Sequence, residues 1–214
     1  LWENFKETTQ LGRRTGLGIT AMGDLLAALG VVYGSPESVE MVEEVYRRMA
    51  LAAHHASADM AKERGAFPLY DHALEAAADC PYLTRLWVTD PALREKHRTH
   101  GRRNIALTTT APAGSVSLLT RTSSGIEPVF MLEYLRRKKI NSSNTTATVD
   151  YVDALGDRWQ MFKVYHHGLA QWVEQNPGRS IQDSPYWGAT AGELKWDMRI
   201  KIQAAAQRWL SHSI

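Results

Sequence analysis

Apolar positions recur at steps of three and four through Val39, Val42, Val45, Met49, Ala53, Ala56 and Met60. That spacing makes one continuous helical face. Ser35 and Pro36 supply an N-cap and a proline at the first helical position, and Gly65 closes the run. The same punctuation at Asp90, Pro91 and Gly101 predicts a helix between them. A shorter helix from about Thr20 to Leu29 has Gly30 where a C-cap falls. "FPLYDHALEAAAD" reads as another short helix, stopped by Pro81. A mixed stretch predicts a helix from about Leu155 or later until Asn176. Thr190 and Glu193 fit a capping box that opens a last helix with Leu194, Met198, Ile202, Ala205 and Trp209 on one face.

Between these helices lies "NIALTTTAPAGSVSLLTRTSSGIEPVF", residues 104–130, where Arg121 is the one charge before Glu127. It begins as a β-rich run to Thr110, breaks at Pro112 and restarts as a helix from Ser115. It breaks again at Ser123, Ser124 and Gly125 and returns to an extended apolar run. Long helices separated by a few short β-rich runs make an α/β pattern, with strands too widely spaced for a sandwich.

Composition changes this picture little. Of the 214 residues 44% are hydrophobic and 22% charged, ordinary for a globular domain with a core. A net charge of +2 creates no field that demands nucleic acid or an anionic membrane. No apolar run is long enough to span a bilayer and no signal peptide is visible, so the expected compartment is the cytoplasm. One cysteine, Cys80, excludes an internal disulfide framework and a cysteine-rich zinc site; it is expected to be an inert, partly buried thiol at a helix end. The chain opens without an initiator Met and closes on "AAAQRWLSHSI", inside an amphipathic pattern. We therefore read it as a fragment of a longer polypeptide, truncated at both ends.

The candidate chemistry sits after the β-rich run. Pro112, Ala113, Gly114, Ser115 and Val116 join a strand end to a helix start, where the unpaired backbone N–H groups of residues 114 to 117 can converge on an anion. Gly114 lets a ligand approach the backbone, and the hydroxyls of Ser115 and Ser117 can add hydrogen bonds. Pro112 contributes loop shape alone, because it has no N–H. By pattern alone the better reading is a plain turn that binds nothing, since one glycine is weak evidence. The pairs His54-His55 and His166-His167 point about 100° apart on a helix and cannot chelate as pairs. His97 and His100 lack a third ligand at metal spacing, so the histidines are read as solvated or capping and no metal is expected. Arg136, Arg137, Lys138 and Lys139 are read first as a solvated strand end or an inter-domain contact, and second as a phosphate or nucleic-acid site. Trp159, Trp172, Trp196 and Trp209 read as core.

"APAGSVS", then "SSGIEPVF" and "YLRRK", resemble paired signatures of ribonucleotide reductase large chains, usually A-P-T-G-T-I-S and S-S-G-I-E-P-x-F. "RRTGLGITAMGDLLAALGVVYGS" is similar to the upstream R-R-x-G-L-G-x-x-G-x-x-D block, and "ERGAFPLY" and "QAAAQRWLSHSI" fit as well. The likeness runs through essentially the whole chain and is greatest to the adenosylcobalamin-dependent (class II) branch. It implies a fragment of the C-terminal part of a ten-stranded α/β barrel, residues 1–214 being a partial, helix-rich catalytic barrel domain. It also implies that Pro112 to Ser117 hold the substrate's phosphates, which reverses the order of the two readings of the loop. Ala113 and Ser115 depart from the usual threonines; the first change removes a hydroxyl but no backbone donor, so binding should survive in weaker form. Glu127 is expected to be structural at the barrel rim.

The resemblance implies a parent enzyme that reduces ribonucleoside diphosphates to deoxyribonucleotides for DNA synthesis. Adenosylcobalamin, with its cobalt, would generate a cysteine radical, and a thioredoxin-like dithiol would restore the reductant. No N-x-C-x-E finger loop occurs in these residues and Cys80 matches no catalytic position, so no catalytic residue is assigned and the fragment alone cannot catalyse the reduction. A homodimer is allowed for; no membrane and no direct nucleic-acid partner are expected. The alternatives are a large-subunit fragment of a diiron class I reductase, and a non-catalytic nucleotide- or nucleic-acid-binding helical module using the basic run.

Overall fold

A computed structural model describes residues 1–141, 143–144 and 146–212. The last two residues of the matched block "QAAAQRWLSHSI", 213 and 214, lie outside them. In chain order the helices are α1 (Trp2–Gly12), α2 (Met22–Ala28), α3 (Pro36–Arg64), α4 (His72–Ala77), α5 (Pro81–Thr89), α6 (Pro91–His100) and α7 (Gly114–Thr120). A sheet of β1 (Glu133–Lys139), β2 (Tyr151–Val152) and β3 (Arg158–Tyr165) follows, then α8 (His167–Gln175), a 3-10 turn at Ile181–Asp183 and α9 (Trp196–Gln207). The described residues are thus helix-rich, with one small antiparallel sheet in the order β1-β3-β2.

The punctuation of α3 and α6 acts as the sequence predicts. The Ser35 side chain accepts the Ser38 N–H, and Gly65 ends α3 at φ 79°. Asp90 accepts the Leu93 N–H at 3.0 Å, and Gly101 ends α6 at φ 74°. The buried stripe of α3 differs from the predicted one. It runs through Ser38, Val42, Tyr46, Ala50, His54 and Ala58, whereas Val39, Val45 and Met49 flank it and Met60 is exposed. Tyrosine and histidine are discounted in an apolar count, yet both bury well when the polar tip finds a partner. Tyr46 Oη lies 2.9 Å from Thr110 Oγ1, and His54 Nε2 lies 3.0 Å from Tyr82 Oη. The main core packs Met22 and Leu26 of α2, this stripe, Leu86 of α5, Leu93 of α6 and Ile202 of α9.

Three predicted elements are corrected. Pro81 does not merely stop a helix: it is the first residue of α5, so Cys80 caps a helix start and packs partly buried against the core. The expected helix from about Leu155 is strand β3 up to Tyr165, and only His167 onward is helical. Pairing across β1, from Glu133↔Tyr165 to Lys139↔Trp159, overrides local helix preference there. Thr190 Oγ1 donates to Glu193 at 2.5 Å, but the segment stays a turn and α9 begins at Trp196. A full capping box instead joins Ser180 and Asp183 at the 3-10 turn. Of the four tryptophans read as core, Trp209 is core and Trp172 packs on a small second cluster. Trp159 stacks on Tyr151 in the sheet, and Trp196 is exposed beneath Arg199. The basic run lies on β1, exposed along its whole length.

The histidine expectation fails in an informative way. His54 and His97 are fully buried rather than solvated, with ring centroids 5.4 Å apart. His97 Nδ1 accepts the Trp87 indole N–H at 3.0 Å. Burial, with the nearby Arg102 charge second, holds His97 neutral and lowers its pKa to about 3; the same two causes lower His54. Both groups titrate lower in the folded state, so the unfolded chain takes up protons first as pH falls. Stability should be level above about pH 7 and decline below about pH 6.5 by up to about 1.4 kcal/mol per pH unit per histidine. Unfolding midpoints measured from about pH 7.5 down to 5 check this, and a flat profile contradicts it.

Candidate functional site

The β-rich run before the loop is extended but is no strand. Its backbone runs beside residues 12–17 through Ile105 N–H to Gly12 O (2.9 Å), Leu17 N–H to Leu107 O (2.7 Å) and Thr109 N–H to Leu17 O (2.9 Å), with one parallel bridge at Leu17↔Thr108. On its other side Ser211 Oγ accepts the Leu107 and Thr108 N–H groups at 2.9 and 2.8 Å. A side-chain hydroxyl thus stands where a second strand would continue the ladder. The glycine-rich turn upstream permits the close approach, because a Cβ at Gly18 would overlap the Thr109 carbonyl oxygen.

Thr110, held by Tyr46, delivers the chain to Pro112. Ala113 is the N-cap of α7 and adds no side-chain bond. Among the described residues the N–H groups of Ala113, Gly114, Ser115 and Val116 meet no acceptor. A Cβ at Gly114 would find nothing within 4 Å, so the loop opens to free space there. Ser117 differs from the expectation that its amide and hydroxyl are available. It is buried, its N–H is spent on Ala113 O at 2.7 Å and its hydroxyl donates to Gly114 O at 2.8 Å. The free donors are therefore the backbone of 113–116, with the Ser115 hydroxyl exposed beside them. Outward from the loop α7 shows Leu118 and Leu119, 82% and 85% exposed.

The far side of α7 meets a network that sequence reasoning did not find. Asp24 of α2 accepts the Ser123 N–H at 2.6 Å through Oδ2. Its Oδ1 accepts the Tyr186 hydroxyl at 2.8 Å and lies 2.7 Å from His166 Nε2. Burial alone would push the Asp24 carboxyl up, but the bonds from His166, Ser123 and Tyr186, with the His166 charge, lower it below the usual carboxylate range. Tyr186 is driven in the opposite direction by burial and the adjacent Asp24. A cavity of about 610 Å³ opens beside this carboxylate, bordered by Arg121, Thr122, Gly168, Trp172 and Tyr186. Two signals are present in the sequence: Asp24 ends the "GITAMGD" block, and a histidine of the His166-His167 pair can donate to a carboxylate as well as cap a helix or meet solvent. Glu127 is exposed at the rim of the turn, and its charge raises the pKa values of Tyr33 and Tyr46 after burial has done so. Among the described residues no three metal-ligating side chains converge, and no helix is long and apolar enough to cross a membrane.

Comparison with known proteins places the chain in a family. The family model described as "Ribonucleotide reductase, barrel domain" matches residues 2–214. A vitamin B12-dependent ribonucleoside-diphosphate reductase of Mycobacterium tuberculosis (strain CDC 1551 / Oshkosh) is 37% identical over 130 residues, 61% of this chain and 16% of that protein. One of the same name from Thermoplasma acidophilum is 32% identical over 134 residues, 63% of this chain and 15% of that protein. A ribonucleoside-diphosphate reductase subunit alpha of Treponema pallidum is 29% identical over 129 residues, 59% of this chain and 15% of that protein. The match therefore spans a small part of each relative's length, and it lies in the domain whose signatures the sequence carries: the chain belongs to the ribonucleotide reductase family.

Proposed function

We propose that the chain is part of the large polypeptide of an adenosylcobalamin-dependent ribonucleoside-diphosphate reductase, truncated at both ends, within a ten-stranded α/β barrel. In this reading the loop from Pro112 to Val116 holds the substrate's phosphates, with Ser117 shaping the helix start from within. The observation that carries it is the row of four unpartnered amides, 113–116, at the N-terminus of α7 beneath open space. Each such donor stabilises an anion by about 0.3–1 kcal/mol when exposed, and several aimed at one phosphate act together. The B12 dependence in the names of the Mycobacterium and Thermoplasma relatives, at higher identity than the Treponema subunit alpha, supports class II over the diiron class I alternative. The basic run favours the nucleic-acid module less, because Lys139 is paired to Asp157 and Arg137 sits over Tyr151.

Among the described residues, neither the cavity beside Asp24 nor Cys80 fits the cofactor itself. The cavity beside Asp24 is open and its carboxylate already has three donors, while Cys80 caps α5 against the core. Cofactor binding, the radical cysteine and the dithiols are therefore assigned to other parts of the longer polypeptide. A thioredoxin-like reductant, a homodimeric assembly and a cytoplasmic location belong to the same proposal.

The test uses the intact reductase, supplied with adenosylcobalamin and no second subunit. Wild type should turn over under those conditions. Gly114→Val, which fills the open space above the loop without clash, should raise the KM for the ribonucleotide by about tenfold or more while cofactor binding is unchanged. Unaltered KM would remove the loop from the site, and an absolute need for a second subunit would favour class I.

A further inference from the structure

We infer that Asp24 is a positioning residue for the phosphate loop, holding α7 from its C-terminal end; this rests on the role proposed above for residues 112–116. Helix α7 has seven residues, and among residues 113–120 Ala113 and Ser117 are the buried ones. So little packing leaves its direction to its two ends. The N-terminal end is tied through Thr110 to Tyr46. At the other end Arg121 turns the chain at φ 59°, Thr122 N–H returns to Ser117 O at 3.0 Å, and the next residue is Ser123. Ser123 and Asp24 are joined reciprocally: the Ser123 N–H donates to the carboxylate, and its Oγ accepts the Asp24 N–H at 3.3 Å.

Asp24 is itself fixed from three directions. His166, at the junction of β3 and α8, and Tyr186, after the 3-10 turn, meet the oxygen that Ser123 leaves free. The start of α2 is locked to the same turn by Ala21 N–H to Ser124 O (2.5 Å) and Met22 N–H to Gly125 O (3.1 Å). No slack remains at Gly23, where a Cβ would come within 3.1 Å of Ser123 Oγ and 3.2 Å of Glu127 O. A Cβ at Gly168 would press to 2.6 Å from Asp24 Oδ1. A charged acceptor gripping a backbone N–H just past a two-turn helix fixes where the opposite end of that helix points its amides.

Asp24→Asn in the intact reductase separates this role from general support. The amide keeps the shape but turns an NH2 toward one set of the three donors, so part of the grip is lost. We expect KM for the ribonucleotide to rise about tenfold with kcat changed less than about twofold. Amide hydrogen exchange should quicken at Ser117 and Thr122, whose N–H groups are bonded to Ala113 O and Ser117 O at the two ends of α7, more than in the core of α3, a readout independent of turnover. Tyr186→Phe, which removes one donor and spares the Ser123 bond, should raise KM about threefold. Should Asp24→Asn not fold, Tyr186→Phe decides, and wild-type KM and exchange in it overturn the inference. If Gly114→Val raises KM and Asp24→Asn does not, the positioning role alone fails. If neither raises it, the phosphate-loop reading fails as well.

Discussion

Gly18→Ala in the intact polypeptide should cost about 3 kcal/mol or more of stability and raise the KM for the nucleotide in whatever protein folds. The reason is a backbone meeting a backbone. Residues 12–18 run against 105–109, and a Cβ at position 18 would overlap the Thr109 carbonyl oxygen. A side chain can rotate aside, but a carbonyl in a hydrogen-bonded pair cannot. Either Thr109 N–H loses Leu17 O, now at 2.9 Å, or the whole line moves and carries Thr110 and the loop with it. Gly192→Ala is the control, because a Cβ there meets nothing within 4 Å. It should stay within about 0.5 kcal/mol of wild type. Unfolding midpoints of the two variants provide the measurement, and equal midpoints would sink the claim.

Glu75→Ala should be comparably severe, at about 3–5 kcal/mol. Arg102 is 3% exposed, and its guanidinium is paired to Glu75 of α4, donates to Asn104 O and Ile105 O at 3.3 and 3.1 Å, and lies over the Phe67 ring. Removing the carboxylate leaves a buried cation with carbonyl partners alone, and those two carbonyls open the run that leads to the loop. Removing both charges is predicted to cost less: the double variant Glu75→Leu, Arg102→Met should unfold at a higher temperature than Glu75→Ala. A double variant less stable than the single one would show that the guanidinium's bonds to the chain, and not its charge, are what matter.

Local chemistry accounts for the parts of this protein that could be read directly. Ser35-Pro36 with Gly65, and Asp90-Pro91 with Gly101, set helix ends through contacts within a few residues, so α3 and α6 lie where the sequence predicts them. Pro112 and Gly114 likewise announce a loop opening a helix, and α7 begins there. Reading ran short wherever a distant partner decides. Residues 158–165 become a strand because β1 lies beside them, and residues 104–110 stay extended because Gly12 to Leu17 and Ser211 take up their backbone groups. His54 and His97 are core because Tyr82 and Trp87 reach their ring nitrogens.

The candidate site divides along the same line. The four amides after Pro112 follow from chain order alone, since a helix start leaves its first donors unpaired wherever it occurs. The carboxylate that steadies them does not, because Asp24, Ser123, His166 and Tyr186 are separated by up to 162 residues in the chain. By itself the sequence determined the ends of α3 and α6, the loop and the family. The tertiary structure decided which side chains are buried and which residues grip the loop, because burial and long-range hydrogen bonds depend on neighbours that no local pattern names.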